Sequence, residues 1–517
     1  MQSVLIALVA LAGLILAAYL ALLSYTRFLE RARGKPSLAM PVSETAARLD
    51  RLVAPLLARR PGQSGMVLLA SNLDAFAARL LAARQAERSL DLQYYLWHGD
   101  LTGRLLAHEV LQAADRGVRV RLLLDDLNAR QHDRTYLALD AHPNIDVRLF
   151  NPRLSRHGLL RLAFETVLRV MRITRRMHNK AWIADGRLAV VGGRNVGDPY
   201  FDAAASSNFC DLDLLMLGPA VHQAETVFDL YWNSEAAIPI RALGKRRKKA
   251  LSRLRRRLAS LGANDAARPY LHRIVQEATI GELLSGKGEI CWAEKASIVA
   301  DPPEKFKGDG QKNWLMHALG PLLASARAKL EIISPYFIPG DAGTTRLTEM
   351  AGQGVEIAVL TNSLAATDVT AVHGAYARYR KALVQGGIRL FELKPYEARG
   401  RKSIFGSISA SLHTKAFTID DRLGFVGSMN FDPRSASLNT EMGLLFEHEG
   451  LVRQIGAIFA DETSPRKSYR VRIEAGRILW QDEEEGAVRT WRDEPEAPAR
   501  RRLMATIIAL LPIQSQL

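Results

Sequence analysis

The sequence predicts an α/β fold of two like halves paired about a pseudo-twofold axis, with an apolar helix in front of them. Three observations carry that prediction. Residues 178–195 (HNKAWIADGRLAVVGGRN) and 413–430 (HTKAFTIDDRLGFVGSMN) superpose without a gap, at an offset of 235 (413 minus 178). Strand-like apolar runs alternate with helical patterns ahead of each copy, as α/β units require. Finally, 517 residues with 48% hydrophobic and 24% charged composition have an ordinary globular balance and length enough for more than one domain. A disordered or collagen-like chain is excluded.

Residues 4–23 (VLIALVALAGLILAAYLALL) are twenty without a charge, the length that spans a bilayer as a helix. No basic residue precedes them, so the reading is an uncleaved anchor within residues 1–35 rather than a cleaved signal. Arg27, Arg31, Arg33 and Lys35 follow, which by the positive-inside rule places the main body on the cytoplasmic side of the membrane. The first half spans 60–240. Within it, residues 83–97 (ARQAERSLDLQYYLW) read as a helix end entering a buried strand, and 117–125 (GVRVRLLLD) as the next strand. A linker, 241–284, opens with ten basic residues and no acidic one between Arg241 and Arg257; it is either a solvated helix or a surface for anionic lipid or nucleic acid. The second half, 285–465, repeats the strand pattern at 324–338 (ASARAKLEIISPYFI) and 354–361 (GVEIAVLT). The extension 466–517 ends in Arg500, Arg501 and Arg502 followed by 503–511 (LMATIIALL), too short to span but able to lie at an interface or dock on the core. Ahead of the first motif, seven arginines from Arg153 to Arg176 interleave with apolar residues as a basic amphipathic helix would.

Lys+Arg 70 against Asp+Glu 54 leaves a net charge of +16, which favours anionic partners without choosing between nucleic acid and lipid. Two cysteines, Cys210 and Cys291, exclude a disulfide scaffold or a multi-thiolate zinc site. The chemistry sits in the repeat, which fits H-x-K-x4-D-x6-G-[GS]-x-N twice. Apolar runs flanking Asp185-Gly186 and Asp420-Asp421 predict hairpins. Residues two apart on a strand share a face, so His178 points with Lys180, and His413 with Lys415. Gly193 and Ser428 let a ligand approach the backbone, and Asn195 and Asn430 add an amide near each. If the halves meet at the axis, two imidazoles and two ammoniums converge on a tetrahedral anion: a phosphodiester handled without metal or cofactor. Asp185 and Asp420 complete the candidate catalytic set, although an Asp at a hairpin tip serves turn geometry more often than chemistry.

These H-x-K-x4-D motifs resemble those of the phospholipase D superfamily over about residues 60–465. The stretches RRMHNKAWIADG, VVGGRNVGDPYF, LHTKAFTIDD and VGSMNFDPRSASLNTEMG, with the tail RRLMATIIALLPIQSQL, are most similar to its bacterial cardiolipin synthase branch, and within it to the C type. The resemblance implies two phospholipase D-like α/β sandwich halves and a ping-pong reaction. One histidine, His178 by analogy, forms a phosphohistidine; the other, His413, protonates the departing alcohol and deprotonates the incoming one. It also implies that Asp211 and Glu441 orient the histidines, and that phosphatidylglycerol, with phosphatidylethanolamine as a further donor, is converted at an anionic membrane surface to cardiolipin. Hydrolysis to phosphatidic acid would use the same residues; a nuclease or an inactive lipid-binding scaffold fits the apolar ends and the two intact motifs less well. The first copy departs from many relatives in having Gly193 where they carry Ser.

Overall fold

The computed structural model describes residues 2–42, 47–154, 156, 165, 174–204, 207–260, 267–277, 289–395, 409–484 and 486–511. Ten strands precede residue 295: β1 (Ser64–Leu69), β2 (Ser89–Tyr94), β3 (Arg119–Asp125), β4 (Ile145–Phe150), β5 (Ala181–Ala184), β6 (Leu188–Gly192), β7 (Ser207–Cys210), β8 (Asp213–Leu217), β9 (Ala237–Pro239) and β10 (Cys291–Ala293). Eleven follow: β11 (Ala296–Ala300), β12 (Lys329–Ile333), β13 (Glu356–Asn362), β14 (Arg389–Leu393), β15 (Ser409–Leu412), β16 (Ala416–Ile419), β17 (Leu423–Gly427), β18 (Met442–Glu447), β19 (Ser468–Glu474), β20 (Arg477–Glu484) and β21 (Ala487–Trp491).

They build two mixed sheets. The first runs β10-β1-β8-β6-β5-β2-β3-β4-β9 and the second β11-β18-β17-β16-β12-β13-β14-β19-β20-β21. From β1 to β9 and from β11 to β19 the orders correspond strand for strand. In each, three central strands run parallel (β2, β3, β4 and β12, β13, β14), and the motif hairpin is added antiparallel beside them. Parallel strands need both faces covered. Accordingly β2 and β5 are buried throughout, and three apolar clusters result. One packs helices such as Asn72–Gln85 and Leu101–Asp115 on the outer face of the first sheet, and one does the same for the second. The middle cluster joins Met66, Leu123, Ile183 and Leu214 to Ile333, Leu360, Val426 and Leu444, so the inner faces of the two sheets share one core.

The halves are also stitched by backbone. β7 pairs in parallel with β15, and Met177 bridges Thr440. The bond from His178 N to Thr440 O and that from His413 N to Cys210 O, each 2.8 Å, are counterparts across the axis.

Residues 4–23 fall in a helix, Gln2–Ala32, on which Val4, Leu5, Ile6, Leu8, Val9, Leu16, Tyr19 and Leu20 are exposed. Among the described residues no helix is long and apolar enough to cross a membrane, so the structure does not support the expected spanning anchor. The basic segment before His178 lies largely outside the described residues. At the other end, the helix Ala499–Leu510 docks on Thr370–Gln385: Ala505 is buried, a Cβ on Gly374 would stand 2.6 Å from Ala505 O, and Arg501 bonds to the carbonyls of Leu364 and Ala365. Its opposite side exposes Leu503, Met504, Ile507 and Leu510. The segment therefore docks on the core through one face and leaves an apolar face exposed.

Candidate active site

Each motif is held from both ends. At the hairpin tips Asp185 (φ 52°) with Gly186 (φ 65°), and Asp420 (φ 50°) with Asp421 (φ 53°), take the left-handed conformation that a two-residue turn matched to strand twist requires. The carboxylate of Asp185 accepts from the backbone N–H of Glu87, Arg88 and Ser89 at 3.0, 2.8 and 2.9 Å. That of Asp420 accepts from Arg327, Ala328 and Lys329 at 2.9, 2.8 and 2.8 Å. Burial opposes ionisation of Asp420, but these bonds outweigh it and keep the group below its usual range. Both carboxylates therefore pin the hairpin to the start of β2 or β12, at the end of the hairpin strand away from the histidine. Their grouping with the catalytic residues is corrected: they position.

At the near end, sequence reasoning missed a matched pair. Asp125, closing β3, accepts from Met177 N at 2.9 Å; Asn362, closing β13, accepts from Leu412 N at 3.0 Å and donates to Leu412 O at 2.9 Å. The residue before each histidine is thereby tied to the neighbouring parallel strand. The only signal in the sequence was a polar residue ending each apolar run.

The histidines are buried, and each is held by the other half. His178 Nδ1 lies 2.8 Å from Glu441 Oε2 and 3.0 Å from Ser428 O; His413 Nδ1 lies 2.5 Å from Asp211 Oδ2. Glu441 and Asp211 match one another across the axis, but each serves the histidine of the opposite repeat. An Nδ1–H given to a carboxylate leaves the Nε2 lone pair for chemistry. Aromatic edges flank both rings: Tyr95 at 4.9 Å from His178, Tyr200 and Phe209 at 5.2 and 5.0 Å from His413.

Lys180 donates to His178 O at 2.6 Å and Lys415 donates to His413 O, which curls each ammonium beside its own histidine. All four groups feel one another. Burial pushes His178 down to about 4, with Glu441 resisting and Lys180 assisting. His413 is driven well below its usual value by burial, then by Lys415 and Lys180. Burial lowers Lys180 to about 7 against the pull of Glu441, and lowers Lys415 against that of Asp211. Burial alone would raise Glu441, but His178 and Lys180 hold it below the ordinary range. The substrate-free site thus sets two imidazoles whose protonation burial disfavours beside two ammoniums that burial has made weak holders of their protons.

The smaller residues work differently from expectation. Ser428 Oγ donates to Glu441 Oε2 at 2.5 Å and accepts from Met442 N at 3.0 Å, so the hydroxyl holds the carboxylate that orients His178. Gly193 is its counterpart: a Cβ there would stand 2.2 Å from Asp211 Oδ1. Asn195 accepts from Leu96 N at 3.2 Å and donates to Tyr200 Oη at 2.9 Å, tying its loop to β2. Asn430 is buried with Oδ1 unpartnered among the described residues. Ser435, which donates to Glu441 Oε1 at 2.9 Å, and Asp301, which accepts from Glu441 N at 2.9 Å, complete the support of Glu441. Asp432, pushed up to about 7 by burial despite its 2.6 Å bond from Ser435 N, caps the short helix Pro433–Ser437.

His373, Glu392 and Glu494 bring possible ligand atoms within 4.8 Å of one another. The Arg380 guanidinium already sits among them, 2.9 Å from Glu392, 2.8 Å from Glu494 and 2.8 Å from His373 Nε2, so the cluster is an ion-pair network rather than a cation site.

A family model described as cardiolipin synthase, PLD-like domain, matches residues 80–232 and 319–462. The chain belongs to this family. Both matched segments carry one H-x-K motif, its hairpin and its exchanged carboxylate, so the family match and the pseudo-twofold repeat coincide. Cardiolipin synthase C of Escherichia coli K12 is 41% identical over 476 residues, spanning 90% of this chain and 99% of that protein. An uncharacterised protein of Helicobacter pylori 26695 is 32% identical over 485 residues, 91% of this chain and 95% of its own. Among solved structures, phosphatidylserine synthase of Haemophilus influenzae covers 95% of this chain and 99% of its own at a TM-score of 0.57 and 13% identity, a likeness of fold alone.

Proposed function

We propose that this member of the cardiolipin synthase family transfers a phosphatidyl group between phospholipids, making cardiolipin. The observation that carries the reading is the paired, carboxylate-oriented His178 and His413 with Lys180 and Lys415 between them. Neutral His178 attacks the phosphodiester through Nε2, forming the N–P bond as the P–O bond to the leaving alcohol breaks. His413 gives that alcohol its proton. It then takes the proton of the incoming hydroxyl, whose oxygen displaces His178 from phosphorus and restores the enzyme. Lys180 and Lys415 stabilise the charge on the phosphoryl oxygens, and Asn195 and Asn430 bound the site.

Burial disfavours protonation of both imidazoles before substrate arrives. The charge of the bound phosphodiester offsets the ammoniums, so that His413 takes up from solvent the proton it then gives to the leaving alcohol. Phosphatidylglycerol serves as acceptor and as donor, with phosphatidylethanolamine as an alternative donor. The exposed apolar residues of Gln2–Ala32 and Ala499–Leu510 favour work at a membrane surface.

The test is mass spectrometry of lipids after incubating the protein with phosphatidylglycerol, alone and with phosphatidylethanolamine, in mixed micelles containing EDTA. Cardiolipin formed by the unmutated protein and not by His178→Ala is expected. Phosphatidic acid alone would make water the acceptor and overturn the transferase assignment.

A further inference from the structure

The basic linker divides into two sets of cations. Arg241, Arg246 and Arg255 are neutralised by carboxylates of the first half: Arg241 by Asp140 and Asp146, Arg246 by Asp140, Arg255 by Asp115. Lys245, Arg247, Arg253 and Arg257 have no ion-pair partner among the described residues; nor have Lys248, Lys249 and Arg256. With Arg134, likewise unpaired, the first four line one open cavity of about 320 Å³ that no acidic residue enters, and the other three lie outside it. The helix Ala250–Ala259 sets Arg253 and Arg257 one turn apart on a single face while burying Leu254 and Leu258, so its guanidiniums stand above an apolar floor of Leu137, Ala138 and Leu254. A smaller cavity of about 110 Å³ adjoins it, with Thr135, Leu254 and Arg257 in the lining of both, and is lined further by Val110, Leu122, Leu139 and Trp97. None of the candidate active-site residues lines either space.

We propose that this cavity is a second lipid site, which holds the phosphate of an anionic phospholipid among Arg134, Lys245, Arg247, Arg253 and Arg257 with its first methylenes on the apolar floor. Five cations without counter-charge supply the electrostatic half of that recognition. The floor and the smaller cavity supply the apolar half, which inorganic phosphate would not use. A single-stranded nucleic acid would call for exposed stacking aromatics along a track; the cation-lined cavity has no aromatic lining, and Trp97 and Tyr136 of the adjoining smaller cavity are buried. Occupancy would also be felt at the chemistry, because Trp97 and His98 line the smaller cavity, and His98 N bonds to the carbonyl of Val196 at 2.8 Å, one residue beyond Asn195. The site rests on the membrane reading but not on the reaction assigned to the histidines.

Binding of the full chain to phosphatidylcholine vesicles with and without phosphatidylglycerol tests it, read by sedimentation and repeated in His178→Ala so that turnover plays no part. Neutralising Arg134→Gln, Lys245→Gln and Arg257→Gln together should weaken binding to the anionic vesicles at least about tenfold, since each cation near such a surface contributes about 1 kcal/mol. Removing equal charge at Arg59, Arg60 and Arg466 should weaken it less than about threefold, the share that general attraction would explain. A second pair, Arg247→Gln with Arg253→Gln, should reproduce the selective loss. Turnover on a short-chain micellar substrate should stay within about twofold in all of them, showing an intact fold. Equal losses in the cavity and control variants would overturn the proposal. So would full release of the vesicles by inorganic phosphate, or a selective loss seen with single-stranded DNA in place of vesicles.

Discussion

A histidine whose Nδ1 is held by a carboxylate is fixed in tautomer and direction, and here the holder lies 263 residues away for His178 and 202 for His413. His178→Ala and His413→Ala should each abolish turnover while leaving vesicle binding unchanged; turnover in either variant would contradict the two-histidine scheme. Glu441→Gln and Asp211→Asn should each cost about 10²–10⁴ in kcat by freeing the wrong tautomer. In ¹⁵N spectra, Glu441→Gln should move the Nδ1 signal of His178 and not that of His413, with Asp211→Asn doing the reverse. Burial shifts the pH dependence away from that of two ordinary histidines. Lys180 must carry its proton to bind the anion, and its value near 7 in the empty site means that this charge is lost as pH rises through 7. Since kcat/KM reports the free enzyme, it should fall on the alkaline side from about pH 7, and a profile flat to pH 9 would refute this. The histidines, lysines and asparagines were legible because their spacing repeats. The exchange of carboxylates was not, because no local pattern tells which half an acid faces.

The hairpins were equally legible, for turn residues flanked by short β-rich runs encode them locally. What the sequence left ambiguous was the work of their aspartates, since a carboxylate that caps three backbone N–H groups and one that moves a proton are the same letter. Asp185→Ala should lower stability by about 3 kcal/mol, through the loss of charged hydrogen bonds, with turnover per folded molecule retained; urea unfolding and active-site titration separate the two. Gly193→Ala should instead cut kcat per folded molecule by pushing Asp211 off His413, besides costing about 1–3 kcal/mol of stability through overpacking; the same two measurements separate the effects. Strands assembled from afar were the hardest to foresee: β10 joins the first sheet from beyond the linker, and β19 to β21 extend the second from the C-terminal segment. Short strands of mixed polarity acquire their identity from the edge they pair with.

Over the whole molecule, duplication explains both the repeated strand order and the single site. Each half supplies one imidazole, one ammonium and the carboxylate that orients the other half's imidazole. The shared core between the inner faces holds the halves in register, so the site exists only in the pair. Activity should survive EDTA, and a loss restored by a divalent ion would contradict a reaction carried by two imidazoles and two ammoniums. The most direct test of the account is peptide mapping of protein quenched during turnover of phosphatidylglycerol. The account predicts an acid-labile phosphatidyl adduct on His178 that is absent from His178→Ala, while an adduct on a lysine or aspartate, or on no residue as cardiolipin accumulates, would contradict it.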